Sequence, residues 1–126
     1  MKITIFAIVL LVSIILFCGF SVVYTENTIT EILDTLDMCE DEVNNGDWEL
    51  ALDHIYLTNS LWYKHKTVLE TFLRHEEIDN VTQALCRTTA TVTEKNRSEF
   101  MIESVCLAES IEHISTLDYS TAANIF

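Results

Sequence analysis

From Ile3 to Val23 the chain carries no charged side chain; the run ITIFAIVLLVSIILFCGFSVV follows a single Lys2. At about 1.5 Å per residue, a helix over this stretch reaches roughly 32 Å, enough to cross the hydrocarbon core of a bilayer. The run is therefore either a membrane helix or a secretion signal. A cleavable signal wants a positive n-region, an apolar core of about 7 to 15 residues and a small-x-small site. Here the n-region is minimal, the core is long, and Gly19-Phe20-Ser21 is the only passable site. We expect residues 1–24 to be an uncleaved signal-anchor and residues 25–126 to form the domain it carries. Cys18 raises a lipoprotein alternative, but the bulky Phe17 stands where a lipidation signal places a small residue.

Charge gives an orientation. Lys2 and the amino terminus favour a cytoplasmic N-terminal stub, which puts the remainder outside the cell membrane as a single-pass protein. That remainder holds all 20 acidic residues against six of the seven basic ones, a net of −14 with histidine neutral. A domain so acidic repels nucleic acid and anionic lipid, so nucleic-acid binding is excluded. Most of these charges read simply as a solvated surface.

About 100 residues suffice for one small core. The chain has no proline and only two glycines, Gly19 and Gly46. With helix breakers almost absent and apolar residues recurring at helical spacing, the fold class is all-α: a membrane helix followed by an antiparallel bundle of about four helices. The first domain helix is expected over about Thr28–Asn45, with Ile29, Ile32, Leu36, Cys39 and Val43 inward, and Thr28 and Glu31 have capping-box spacing at its start. Asn44-Asn45-Gly46-Asp47 supplies a stop, a left-handed C-cap and the next N-cap. A second helix from Trp48 places Leu52, Ile55, Trp62, Leu69 and Leu73 inward, with no obvious interior stop. The third, about 77–94, buries Ile78, Val81, Leu85 and Val92. The fourth, about 98–116 with Ser98 as cap, buries Met101, Val105, Ala108 and Ile111. The apolar end, Ile125 and Phe126, is expected to fold back on the bundle. NNGDWELALDHI resembles the turn and second helix of a tetratricopeptide unit, but stacked repeats of about 34 residues are lacking, so only a tight helical hairpin is read from it.

An N-terminal membrane helix, NNGDWELA, Leu61-Trp62, HEEIDN at 75–80, EHI at 112–114 and a closing NIF together resemble the bacterial family called domain of unknown function 4363, over nearly the whole chain. The resemblance implies a small, single-pass surface or membrane protein of Gram-positive bacteria with no assigned activity. It further implies a YetF-like membrane protein as partner, because members are encoded beside such proteins.

RHEEIDN, residues 74–80, is the densest group of chemistry-bearing side chains. If the last two helices form a hairpin turning near residue 96, residues equidistant from it lie at equal height. Asp79 then faces His113, with His75, Glu76 and Glu109 near the same end. Three readings stand. The first is a helix start, with Glu76 and Glu77 at the positive end of the dipole. The second is a structural network in which Asp79 orients His113. The third is a divalent metal site for Zn or Mn held by His75, Glu76, Asp79 and His113. The second histidine of HExxH is missing, so no zinc-protease signature is present, and no cofactor is called for.

The same register sets Cys86 opposite Cys106, which permits a disulfide outside the cytoplasm, two packed thiols being the alternative. In WYKHK, Trp62, Tyr63, Lys64 and Lys66 mix aromatic and basic residues as the headgroup layer favours. A hairpin about Gly46 returns residue 62 to the level of residue 30, just above the anchor; the competing reading buries Trp62. Without a phosphate loop, a nucleophile motif or paired carboxylates in a cleft, the sequence reads as a noncatalytic, membrane-anchored interaction module. The alternative is a metal- or ligand-responsive sensor, or less directly an enzyme, built on the His/Asp/Glu cluster.

Overall fold

The structure, a computed structural model, describes residues 1–71 and 73–125, with side chains described through Ser115 and none of those of 116–125. It is built of four helices: α1 (Lys2–Asn45), α2 (Trp48–Leu69), α3 (His75–Thr93) and α4 (Arg97–Ile125). No strand occurs among the described residues. Contacts join α1 to α2, α2 to α3, α3 to α4 and α4 back to α1, closing an up-down-up-down bundle.

α1 spans 44 residues without a break, about 66 Å at the helical rise. Its lower half is the apolar run, and none of its most apolar window is buried against protein. From Ser21 onward one face turns inward through Thr25, Thr28, Ile29, Ile32, Leu36, Cys39 and Val43. The capping box expected at Thr28 is not a helix start, because Thr28 lies in mid-helix and is buried. Extending an existing helix avoids a second nucleation cost, and no glycine or proline stands between Phe20 and Asn45 to stop it.

The stop comes where the sequence places it. Gly46 adopts φ 76°, ψ 11°, and its N–H donates to the carbonyl of Val43. Asp47 then caps α2, its Oδ1 accepting from the Leu50 N–H at 3.2 Å. α2 buries Ala51, Ile55, Thr58, Trp62 and Leu69. It ends at Leu69, so Leu73 packs on the core from the following turn. α3 begins at His75 and buries every residue expected of it.

The second hairpin turns at Lys95, at φ 56° in the left-handed region, and Asn96 caps α4 by accepting from the Glu99 N–H at 3.2 Å. Ser98 is not the cap. This places the apex one residue earlier than expected, and α4 presents Phe100, Ser104, Leu107, Ile111 and Ile114 inward. Val105 is 54% exposed, a correction to the inward stripe, while Met101 and Ala108 are half-buried at its margin. α4 continues as helix to Ile125; the expectation that Ile125 and Phe126 fold back lies outside the described side chains.

The core is unusually rich in hydroxyls. Thr35 and Thr58 meet at 2.9 Å between α1 and α2, and Thr88 donates to the Ala84 carbonyl at 2.8 Å, so burial leaves these groups satisfied. Trp62, 1% exposed, donates its indole N–H to Thr82 Oγ1 at 3.0 Å and ties α2 to α3. We expect Trp62→Ala to lower stability by about 3 to 5 kcal/mol, since it empties the largest core site. Val105→Ala should cost less than about 0.5 kcal/mol. Urea unfolding of each variant in detergent checks both values.

Candidate functional site

RHEEIDN forms the start of α3. Arg74 occupies the N-cap position without a capping side-chain bond, and Glu76 and Glu77 fill the first turn, where the helix dipole favours negative charge. His75, Glu76 and Asp79 are exposed. Glu76 pairs with Arg74 at 3.2 Å, both side chains at least 70% exposed, so the pair contributes about 0 to 1 kcal/mol.

His113 does not meet Asp79. Its Nε2 lies 3.7 Å from Glu77 Oε2. Glu77 and His113 stand equally far from Lys95, as do Arg87 and Glu103, whose Nε and Oε2 are 3.0 Å apart. Turning at Lys95 instead of Asn96 moves the pairing by two residues, and Asp79 lies on the exposed side of α3, away from the stripe of Ile78, Val81, Leu85 and Thr88. Glu77, Asn80, Cys106, Glu109, Ser110 and His113 line an open groove of about 400 Å³. No three His, Cys, Asp or Glu side chains among the described residues come together to hold a metal, so His75, Glu76, Asp79 and His113 do not form the cluster that the hairpin arithmetic allowed.

Cys86 and Cys106 are exposed, free thiols. Cys86 lines a second groove, of about 360 Å³, with Asn59 and Tyr63 of α2, whereas Cys106 faces the α3–α4 groove. Cys39 is fully buried, donates to the Ala51 carbonyl at 3.3 Å, and has its pKa pushed up to about 12 by burial and by the nearby carboxylates of Glu40 and Glu42. It is an inert core thiol.

Of the WYKHK stretch, Trp62 is in the core and cannot reach lipid. Tyr63 and Lys64 are exposed, and Lys66 pairs with Glu70 at 3.7 Å while lying 5.8 Å from the centre of the Tyr63 ring. The residue of this stretch that does organise its surroundings is His65. Its Nδ1 is 2.6 Å from the Tyr24 hydroxyl and its Nε2 is 3.6 Å from Glu31 Oε2. Tyr24 and Glu31, seven residues apart, share one face of α1 exactly where the apolar run gives way to the bundle. The signal was present: with α1 and α2 antiparallel about Gly46, residue 65 returns to the height of residues 24–31. A tyrosine hydroxyl, an imidazole and a carboxylate thus fasten α2 to α1 at the edge of the apolar segment. Below this junction Phe20 stacks obliquely on Tyr24, ring centres 5.7 Å apart.

These elements define a class: an acidic four-helix bundle whose first helix extends downward as an uncovered apolar rod. Within that class the chain belongs to the family described as a domain of unknown function (DUF4363), which matches residues 19–125. Comparison with curated proteins and with solved structures gives no match. The family match begins at Gly19, two residues before α1 first turns a side chain into the core, so it takes in the bundle and the Tyr24–His65 junction.

Two outcomes follow from the geometry. A maleimide applied at pH 8 should label Cys86 and Cys106 within minutes and leave Cys39 unmodified until the protein is denatured, because Cys39 is fully buried and its raised pKa keeps it a thiol. Mass spectrometry of the labelled peptides checks this. His65→Ala should lower stability by about 1 to 2 kcal/mol through loss of the Tyr24 bond, and His113→Ala by less than about 0.5 kcal/mol, as measured by denaturant unfolding.

Proposed function

We propose that the protein is a noncatalytic accessory module, fixed in the cell membrane by residues 3–23 and holding its acidic bundle on the extracytoplasmic side for a membrane-protein partner. The observation that carries this reading is the continuity of α1. Its lower half has no protein cover, and its upper half supplies a quarter of the bundle. With no linker between the two, the helix sets both the height and the rotation of the bundle over the bilayer. Lys2 at the tip, with no lysine or arginine on the other side of the run before Lys64, favours a cytoplasmic N-terminus. Retention of the anchor is supported by the length of the uncharged run, which exceeds the apolar core of a cleavable signal.

Anchoring of this kind raises the effective concentration of the bundle for any partner in the same membrane. The resemblance noted above makes a YetF-like membrane protein the partner of first choice. The absence of any catalytic signature in the sequence favours binding over chemistry.

The exposed thiols report topology. In intact cells a membrane-impermeant maleimide should label Cys86 and Cys106 of the full chain, and alkaline carbonate should leave the protein in the membrane pellet. Labelling only after permeabilisation would put the bundle in the cytoplasm. A soluble product beginning near residue 22 would replace the anchor with a cleaved signal.

A further inference from the structure

α2 carries two apolar faces, and the bundle uses one of them. Ala51, Ile55, Thr58, Trp62 and Leu69 make the buried face. Leu50, His54, Leu57, Leu61, Lys64 and Val68 follow one another at alternating spacings of four and three, the repeat of a coiled-coil seam. Leu50 is 44% exposed, Leu57 46% and Val68 37%, and Leu61 is half-buried. At about 100° per residue this seam lies roughly 110° around the helix from the buried face. It therefore opens sideways, along the outer edge of the α1–α2 pair. Glu31 reaches His65 from α1, and Asp34, Met38 and Glu42 continue the row of Glu31 at helical spacing. Met38, 50% exposed, thus forms the other wall of the seam. Followed downward, the same row arrives at Phe20, 58% exposed, within the apolar run.

We infer that this seam docks a second helix, contributed by a membrane-bound partner, with apolar side chains at coiled-coil spacing and lysines or arginines on its flanks. The inference rests on the membrane-anchored reading above, which holds α2 upright over the bilayer and lets a helix rising from the same bilayer align with it. Charge selects the occupant. Glu31, Asp34 and Glu42 border the seam on α1, Glu49 and Asp53 border it on α2, and Lys64 is the one lysine within it. A second copy anchored in the same membrane would run parallel. It would set Asp53 against Asp53 and Lys64 against Lys64 at equal height, and would bring together two domains of net −14. A helix with basic flanks meets those carboxylates with opposite charge, the arrangement by which flanking positions choose a partner in coiled coils.

The test uses the full chain in phosphatidylcholine nanodiscs and a fluorescent synthetic peptide about three heptads long, with leucines at the seam spacing and lysines beside them. A second peptide carries glutamates in place of the lysines. Anisotropy should show the lysine peptide binding and the glutamate peptide not. Leu57→Glu should weaken binding by about tenfold or more, as loss of a central apolar contact does, and Val105→Glu on α4 should change it by less than about twofold. Diffuse attraction between a basic peptide and an acidic protein predicts the opposite sign, since Leu57→Glu adds a negative charge. Circular dichroism verifies the fold of Leu57→Glu, with Leu50→Glu as the second variant. Unchanged or tighter binding by the folded variants, or equal binding of the two peptides, overturns the inference. So does a dimer in sedimentation that Leu57→Glu dissolves, which would assign the seam to a second copy. Protein that resists carbonate extraction yet fails to bind the peptide refutes the docking seam alone, whereas protein that washes off refutes the anchor on which it rests.

Discussion

An uninterrupted α1 is the constraint on which the rest of the molecule depends. The apolar run is of a length and composition that could cross a membrane, and in hydrocarbon a single segment pairs all its backbone amides only as a helix. Once the helix exists, nothing between Phe20 and Asn45 ends it, and the same element that carries the apolar run also delivers Ile29, Ile32, Leu36, Cys39 and Val43 to the core. The bundle is thus an outgrowth of the rod, and α2 to α4 pack around a post whose position relative to the apolar run is already set.

Two turns convert that post into a particular surface. Gly46, followed by the Asp47 cap, returns α2 antiparallel to α1 and brings His65 to Tyr24 and Glu31. Lys95, followed by the Asn96 cap, returns α4 along α3 and matches Glu77 to His113 and Arg87 to Glu103. At the far end Arg97 donates to the Asn44 side chain at 3.2 Å, linking the two hairpin tips. Other polar contacts cross the middle of the bundle, Asn59 to Thr89 and Trp62 to Thr82, and the buried hydroxyls of Thr35, Thr58, Thr88 and Thr91 donate to carbonyls one turn back, whereas the Thr25 hydroxyl is buried without a hydrogen-bond partner.

Function, on this view, follows from placement more than from reactive chemistry. His65 meets Tyr24 and Glu31 while His113 meets Glu77 in a separate place, and the exposed thiols open onto different grooves. What the bundle offers outward is shape and charge: an apolar seam on α2 bordered by carboxylates, standing at a fixed rotation above Phe20.

Much of the architecture is legible in the chain itself. The uncharged run, the absence of proline, Gly46 before Asp47 and the apolar period of α1 and α3 determine four helices and most of the core, because each is a local property decided within a few turns. The assignments that failed depend on register. A hairpin apex at Lys95 in place of Asn96 shifts the pairing of α3 with α4 by two residues and sets His113 against Glu77 in place of Asp79, while the inward stripe of α4 runs through Ser104, Leu107 and Ile111 and leaves Val105 outside it. The apolar period of α2 already places Trp62 inward, but the partner that satisfies its buried indole N–H, Thr82 of α3, lies 20 residues away and is set by packing alone. Composition and spacing decided what the elements are; only the packing of one helix against another decided which of their side chains meet.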